Sequence, residues 1–180
     1  MDIKILITGP PKCGKSSLIS KLIKYYNNKK NYNIYGFLTP EIRVGSKRIG
    51  FDIVDIHTRK IVQLARVGDF KTKYNIGKYN VFVEEFDNYI KNILNIEGKS
   101  IDLMVIDEIG KMELLSKEFQ NFITRIFASK MTIIATLGLK LKHQVKQHIL
   151  NLPNVLLLKL NHDNFQLLFQ SIISLISYKE

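Results

Sequence analysis

The segment Gly9-Pro10-Pro11-Lys12-Cys13-Gly14-Lys15-Ser16 constrains this chain more than any other feature. It has the spacing G-x-x-x-x-G-K-[ST] and joins two segments of different periodicity. Before it, Ile3-Lys4-Ile5-Leu6-Ile7 is a short apolar, β-branched run of strand length. After it, Leu18, Leu22, Ile23 and Tyr26 fall at helical spacing within Ser17–Tyr26. Strand, glycine loop and helix in that order make a cradle for phosphate. Backbone N–H groups of the loop wrap the β- and γ-phosphates, and the helix N-terminus adds partial positive charge. Lys15 is expected to reach the β/γ oxygens as a point charge, and the Ser16 hydroxyl to hold Mg²⁺. A chance match in a Gly/Pro turn would lack the flanking strand and helix. The segment therefore implies a site for a nucleoside triphosphate.

A second element adds hydrolysis to binding. Leu103-Met104-Val105-Ile106 reads as a buried parallel strand, and Asp107-Glu108 follows it. An acid at the C-terminal end of such a strand lies beside the phosphate loop, where Asp107 can hold the metal through its water shell. The next carboxylate points the other way, toward the γ-phosphate, and can take a proton from an attacking water. This pair favours the branch of loop-type NTPases with an additional sheet strand and a catalytic glutamate. Glu108 is the expected general base; the plain alternative is a solvated loop charge.

These residues carry a resemblance. Asp107-Glu108-Ile109-Gly110-Lys111-Met112-Glu113-Leu114 resembles the signature of a small nucleoside-triphosphatase family known from thermophiles, whose animal members are called cancer-related nucleoside triphosphatase. Gly36-Phe37-Leu38-Thr39-Pro40-Glu41-Ile42-Arg43 and Arg48-Ile49-Gly50-Phe51 resemble the family's T-P-E-[VI]-R…R-x-G-F segment. Gly77-Lys78-Tyr79-Asn80-Val81, with Phe86, is similar to its G-x-Y-x-V…F segment. The resemblance implies a Mg²⁺-dependent hydrolase releasing phosphate from ATP, GTP and other NTPs. Some positions depart from the pattern. Lys12 stands where the family usually has Gly, and Leu137-Gly138 where it tends to Ile-Pro. Its later His-Pro appears as His143-Gln144, and Phe165 takes the place of an expected arginine. The later departures leave the phosphate chemistry alone and bear on base or lid contacts from the last third of the chain.

Phosphoryl transfer spreads charge over the γ-oxygens, so a second cation is expected near them. Lys111, three residues past Glu108, is one candidate; Arg43 and Arg48 are the others. Arg43 could instead pair with Glu41, and Arg48 could sit with Lys47 on a solvated hairpin tip. Glu113 could partner Lys111 or take part in catalysis. Thr136, at the end of a further buried run, could sense the γ-phosphate or the attacking water, or be a satisfied strand-end threonine.

The remaining sequence organises these motifs into an α/β fold: one P-loop NTPase domain over residues 1–180, RecA-like and of the catalytic-glutamate type. Its sheet is expected to be mostly parallel and flanked by helices. Strands are expected at Ile34–Thr39, Met131–Ala135 and Val155–Leu160, and an antiparallel hairpin at Arg48–Ile56 and Ile61–Arg66. Gly68–Gly77 reads as a polar loop and a conceivable lid. Helices are expected at Asp87–Ile96, at Lys117–Ala128, and at the C-terminus behind a cap by Asn161 or Asp163, with Phe165, Leu168, Phe169, Ile172 and Ile176 as its buried stripe.

Composition excludes several classes. Hydrophobic residues make up 46% of the 180, enough for a core. No apolar run approaches the roughly 18 residues of a membrane helix. A lone cysteine, Cys13, leaves no internal disulfide and fits a reducing, cytoplasmic setting. The 27 Lys and Arg against 16 acids are scattered rather than clustered, which predicts weak, non-specific adsorption to nucleic acid rather than a dedicated interface. A nucleotide-kinase-like phosphotransferase shares the loop and the size. It would need an acceptor site and a mobile basic lid. A nucleotide-gated RNA- or DNA-binding ATPase is the third reading. Oligomeric state has no sequence signature here.

Overall fold

The strongest apolar runs become the centre of one sheet. In the computed structural model, which describes residues 3–92, 94 and 96–177, the strands are β1 Lys4–Gly9, β2 Ile34–Leu38, β3 Glu41–Val44, β4 Lys47–Asp55, β5 Ile61–Arg66, β6 Tyr74–Ile76, β7 Tyr79–Val81, β8 Leu103–Ile109, β9 Ile133–Gly138 and β10 Val155–Lys159. The helices are α1 Lys15–Asn27, α2 Val83–Asn92, α3 Lys117–Ala128, α4 Gln144–Leu150 and α5 Phe165–Ser177, with a 3₁₀ turn at Glu113–Leu115. Sheet order is β10-β1-β9-β8-β2-β4-β5-β7-β6, and β3 pairs with β4. The first five strands of that order are parallel. β9 stands between β1, which leads into the phosphate loop, and β8, which carries the acids. That is the additional strand implied by the Asp-Glu pair.

Parallel strands are covered on both faces, so their apolar runs are continuous rather than alternating. On one face Phe37, Ile106 and Ala135 pack with Phe86 and Tyr89 of α2 and Phe119 and Phe122 of α3. On the other, Ile5, Ile7, Val105 and Ile134 pack with Leu18 and Ile19 of α1 and Ile172 of α5. The buried Lys4 is satisfied by the carbonyls of Ser129 and Met131, which ties the start of β1 to the entry of β9. The hydroxyl of buried Tyr89 donates to Asp55 Oδ2 at 2.8 Å and joins α2 to the end of β4.

The antiparallel hairpin forms as β4 and β5, and α3 spans the expected residues. Asn161 supplies the turn before α5, its Oδ1 accepting from the N–H groups of Asp163 and Asn164 at 2.9 Å. Of the stripe expected on α5, Leu168, Phe169, Ile172 and Ile176 are buried and Phe165 is half-buried. Other boundaries moved. α2 begins at Val83 rather than Asp87, because Val83, Phe86, Tyr89 and Ile90 form its buried stripe and Glu84 and Glu85 suit its N-terminal turn. Positions 93 and 95 of the expected helix lie outside the described residues. The Gly68–Gly77 segment is not all loop. Tyr74–Ile76 pairs with β7, Asn80 Nδ2 donates to the Gly68 carbonyl at 2.8 Å, and Phe70 meets Phe82 edge-on at 5.4 Å. Those contacts build the segment into the sheet, whereas a lid needs to be free of it. Among the described residues, no helix is long and apolar enough to cross a membrane.

Candidate active site

The phosphate loop is held by its own backbone requirements. β1 ends at Gly9 and α1 begins at Lys15, with Gly14 at φ +98° as the residue before the helix. A Cβ at Gly9 would collide with the Leu160 carbonyl oxygen and lie 2.7 Å from Cys13 Sγ, so only glycine lets the loop pass. Lys12 adopts φ +63°, the left-handed region where glycine is free of strain. The family's usual Gly at that position has this physical reason. Cys13 is 3% exposed and packs with Leu18 and Ile7 beneath the loop. Lys15 Nζ lies across the loop, donating to the carbonyls of Gly9 at 3.2 Å and Pro10 at 3.3 Å. Pro10 and Pro11 are exposed on its rim.

The acids lie inside β8 rather than after it. Ile106 faces Ala135 and Ile109 faces Leu137, so three steps along β8 (106 to 109) match two along β9 (135 to 137). This bulge sets both Asp107 and Glu108 against Thr136 and lets adjacent side chains aim differently. Asp107 is buried and accepts from the Thr136 hydroxyl. Burial pushes its carboxyl above the usual range, against the opposing hydrogen bonds from Thr136 and Ser16 and the charge of Lys15. Glu108 is raised by burial and by the neighbouring Asp107 charge, while Lys15 opposes. Lys15, Ser16, Asp107, Glu108 and Thr136 are thus brought into one electrostatic unit. Thr136, expected as a water sensor or a satisfied strand-end residue, is fully buried and spends its proton on Asp107.

Glu113 is the residue whose place the sequence did not give. It is 3% exposed, and its carboxyl is pushed up to about 8 by burial and by the Glu108 charge, while the Glu113 and Gly110 amides donate to it and oppose the shift. A Cβ on Gly110 would stand 2.6 Å from Glu113 Oε2 and 2.7 Å from Glu108 Oε1. Both carboxylates therefore close over the same bare Cα. Lys111 is exposed and, among the described residues, makes no ion pair with Glu113. Glu113, read from sequence as a partner for Lys111 or a catalytic group, is folded inward by the 3₁₀ turn.

Arg43 and Arg48 form a cluster of their own on the β3–β4 hairpin. Arg43 donates to Glu41 Oε2 through Nε at 2.9 Å and Nη2 at 2.6 Å, which is the ion pair weighed from sequence. Arg48 Nη1 reaches Glu41 Oε1 at 2.6 Å, and its Nε donates to the Tyr79 hydroxyl at 2.9 Å. Arg48 also stacks 5.0 Å over Phe51, so it is bound into the hairpin rather than solvated at its tip. Glu41 is lowered in pKa: the two arginine hydrogen bonds outweigh its partial burial.

The oxygen donors Ser16 and Asp107, hydrogen-bonded to each other, suit a hard cation such as Mg²⁺ that keeps several waters. Among the described residues no group of three His, Cys, Asp or Glu could cage a metal alone. A Mg²⁺ held here would take its remaining ligands from phosphate and water.

The nucleoside-triphosphatase THEP1 of Thermotoga maritima is 37% identical over 176 residues, spanning 98% of this chain and 97% of that protein. A family model described as NTPase matches residues 4–173. The chain belongs to the THEP1 nucleoside-triphosphatase family. The THEP1 of Methanocaldococcus jannaschii is 38% identical over 75% of this chain and 78% of its own length. The crystal structure of THEP1 from Aquifex aeolicus matches with a TM-score of 0.77 at 29% identity, covering 97% of this chain and 99% of that one. The solution structure of a human cancer-related nucleoside triphosphatase matches with a TM-score of 0.80 at 27% identity over 99% of both chains. The likeness to the THEP1 family is therefore not confined to the motifs. It runs through the last third, so the departures after Thr136 leave the fold in place.

Proposed function

We propose that this chain hydrolyses nucleoside triphosphates to the diphosphate and phosphate in a Mg²⁺-dependent reaction, with Glu108 taking the proton of the attacking water. The observation that supports this reading is the bulge in β8, which lets two adjacent acids aim differently and so take separate tasks. Asp107, bonded to Ser16 and Thr136 and facing Lys15, is the metal-side carboxylate. Glu108, partly shielded from solvent and turned toward Gly110, is free to serve as base. Burial raises its pKa and so strengthens it as a proton acceptor.

Lys15, the loop amides and Gly110 bind the triphosphate, and Thr136 orients Asp107. Ser16 and, through water, Asp107 would hold Mg²⁺, which would supply charge neutralisation at the phosphates. Lys111 is the favoured transition-state cation because, among the described residues, it makes no ion pair, whereas Arg43 and Arg48 are both engaged by Glu41. Broad nucleotide choice follows from a grip that works through backbone and phosphate, which every NTP shares. A reducing cytoplasm suits the thiol of Cys13 in the loop.

The test is phosphate release from Mg²⁺-ATP and Mg²⁺-GTP with no acceptor present. Steady release from both supports the hydrolase. Release that begins only when a nucleoside monophosphate or a polynucleotide is added would overturn it, and the acceptor would name the activity.

A further inference from the structure

One buried polar group near the acids has no assigned work. The Thr39 hydroxyl is enclosed and, among the described residues, has no hydrogen-bond partner. An unpaired buried hydroxyl costs folding energy, so its retention calls for a second use.

Its position supplies one. β2 pairs with β8 in parallel, with Phe37 opposite Ile106 and Leu38 opposite Asp107. Thr39 and Glu108 are the next residues along the two chains, so the register carries Thr39 toward Glu108. Side chains alternate along β2: Phe37 packs in the core shared with α2 and α3, and Leu38 against the opposite core. Continued one residue past the end of β2, that alternation brings Thr39 back to the face of Phe37. Leu114, next to Glu113 in the 3₁₀ turn, belongs to that same core, and Glu113 and Glu108 converge on Gly110 there.

The backbone also holds Thr39 firmly. Leu38 is paired on both sides, with Asp107 and with Val54. Pro40 restricts the residue before it to extended conformations, and the Pro40 carbonyl accepts from Asp52 N–H at 3.2 Å. A side chain fixed at both ends is suited to orient a reacting molecule.

We propose that Thr39 is a catalytic residue that orients the attacking water together with Glu108, a role that rests on Glu108 being the base. A water that attacks phosphorus must aim a lone pair at it, so each of its two protons needs an acceptor. Glu108 takes one; Thr39 Oγ1 accepts the other as a hydrogen bond and keeps its own proton. As the water oxygen bonds to the γ-phosphorus, the bond from that phosphorus to the bridging oxygen breaks, the electron pair leaves with the diphosphate, and Glu108 receives one proton. Thr39 exchanges nothing. It removes the rotational freedom of the nucleophile.

Thr39→Val keeps the shape and deletes the acceptor. The expected result is a kcat lower by ~10- to 100-fold with KM little changed, in a protein at least as heat-stable as wild type. Thr39→Ser is expected to recover most of kcat. A Thr39→Val variant with wild-type kcat, assayed beside a Glu108→Gln variant that has lost activity, would overturn the Thr39 role and leave the base intact. Wild-type kcat for Glu108→Gln would overturn both. A variant that loses stability with kcat, and that serine does not restore, would mark Thr39 as packing only and overturn the proposal.

Discussion

The parallel and antiparallel halves of this sheet are held together by different means. β1 is buried at every residue and β8 at all but Glu108. β3, at the far side of the β2–β4 seam, has three of its four residues exposed. Arg43 on β3 and Arg48 on β4 are held by Glu41 through ion pairs whose side chains are 38% to 46% exposed. Pairs of that kind contribute about 0–1 kcal/mol and are screened by salt. The difference assigns tasks: groups that must stay in place, such as Asp107 and Glu108, ride on the buried strands. Exposed pairs can rearrange when a charged ligand arrives.

The largest effect is expected inside the parallel half, where β2 meets β8. Gly36 has φ +120°, and a Cβ there would run into the Val105 carbonyl of β8. Gly36→Ala is predicted to cost more than about 4 kcal/mol and to leave little folded protein, checked by denaturant unfolding. A stable variant would show that β2 and β8 are less tightly joined than their register implies.

Next in size is the cation. Lys111→Ala is predicted to lower kcat by ~10³-fold, the scale of a lost transition-state charge, while Arg43→Ala and Arg48→Ala change it by far less. The reverse ranking would move catalytic charge onto the antiparallel half.

Gly110→Ala follows. The added Cβ would press on Glu113 Oε2 and Glu108 Oε1, which are ends of flexible side chains rather than backbone. If Glu108 is the base, displacing it by a fraction of an ångström is expected to lower kcat by up to ~10²-fold with stability near wild type. Parallel losses of both would mean that the acids cannot shift.

The smallest effect is one of pH. Glu113 has an ordinary pKa of 4.5 and a folded value of about 8. The folded chain keeps a proton that the unfolded chain releases above 4.5. Its contribution to stability is therefore full below 4.5, declines as pH rises toward 8 and is lost above it. Glu113→Gln should flatten that decline in melting curves taken across the range. An unchanged profile would show that Glu113 is not the group responsible.

The parallel half was legible because its signals are continuous. Buried strands read as unbroken apolar runs, and the spacing of Gly9, Gly14, Lys15 and Ser16 allows few structures. Misreadings came where tertiary contacts decide. Two charges at 107 and 108 looked like the end of a strand, but a bulge against Thr136 carries them inside it. The burial of Glu113 was not legible because nothing local shows that a 3₁₀ turn folds it inward. β3, β6 and β7 are three or four residues long, too short for an alternating pattern to stand out. α4 has only Val145 and Ile149 buried, less than a visible stripe. Thr39 stood in the family-like T-P-E segment, but its unpartnered hydroxyl is a property of its surroundings.

The most direct test of the central claim is single-turnover hydrolysis by Glu108→Gln alongside its nucleotide affinity. The account predicts retained binding of Mg²⁺-ATP and a chemical step slower by ~10²–10⁴-fold, the usual weight of a general base. A variant that binds nucleotide and cleaves it at the wild-type rate would contradict Glu108 as the base.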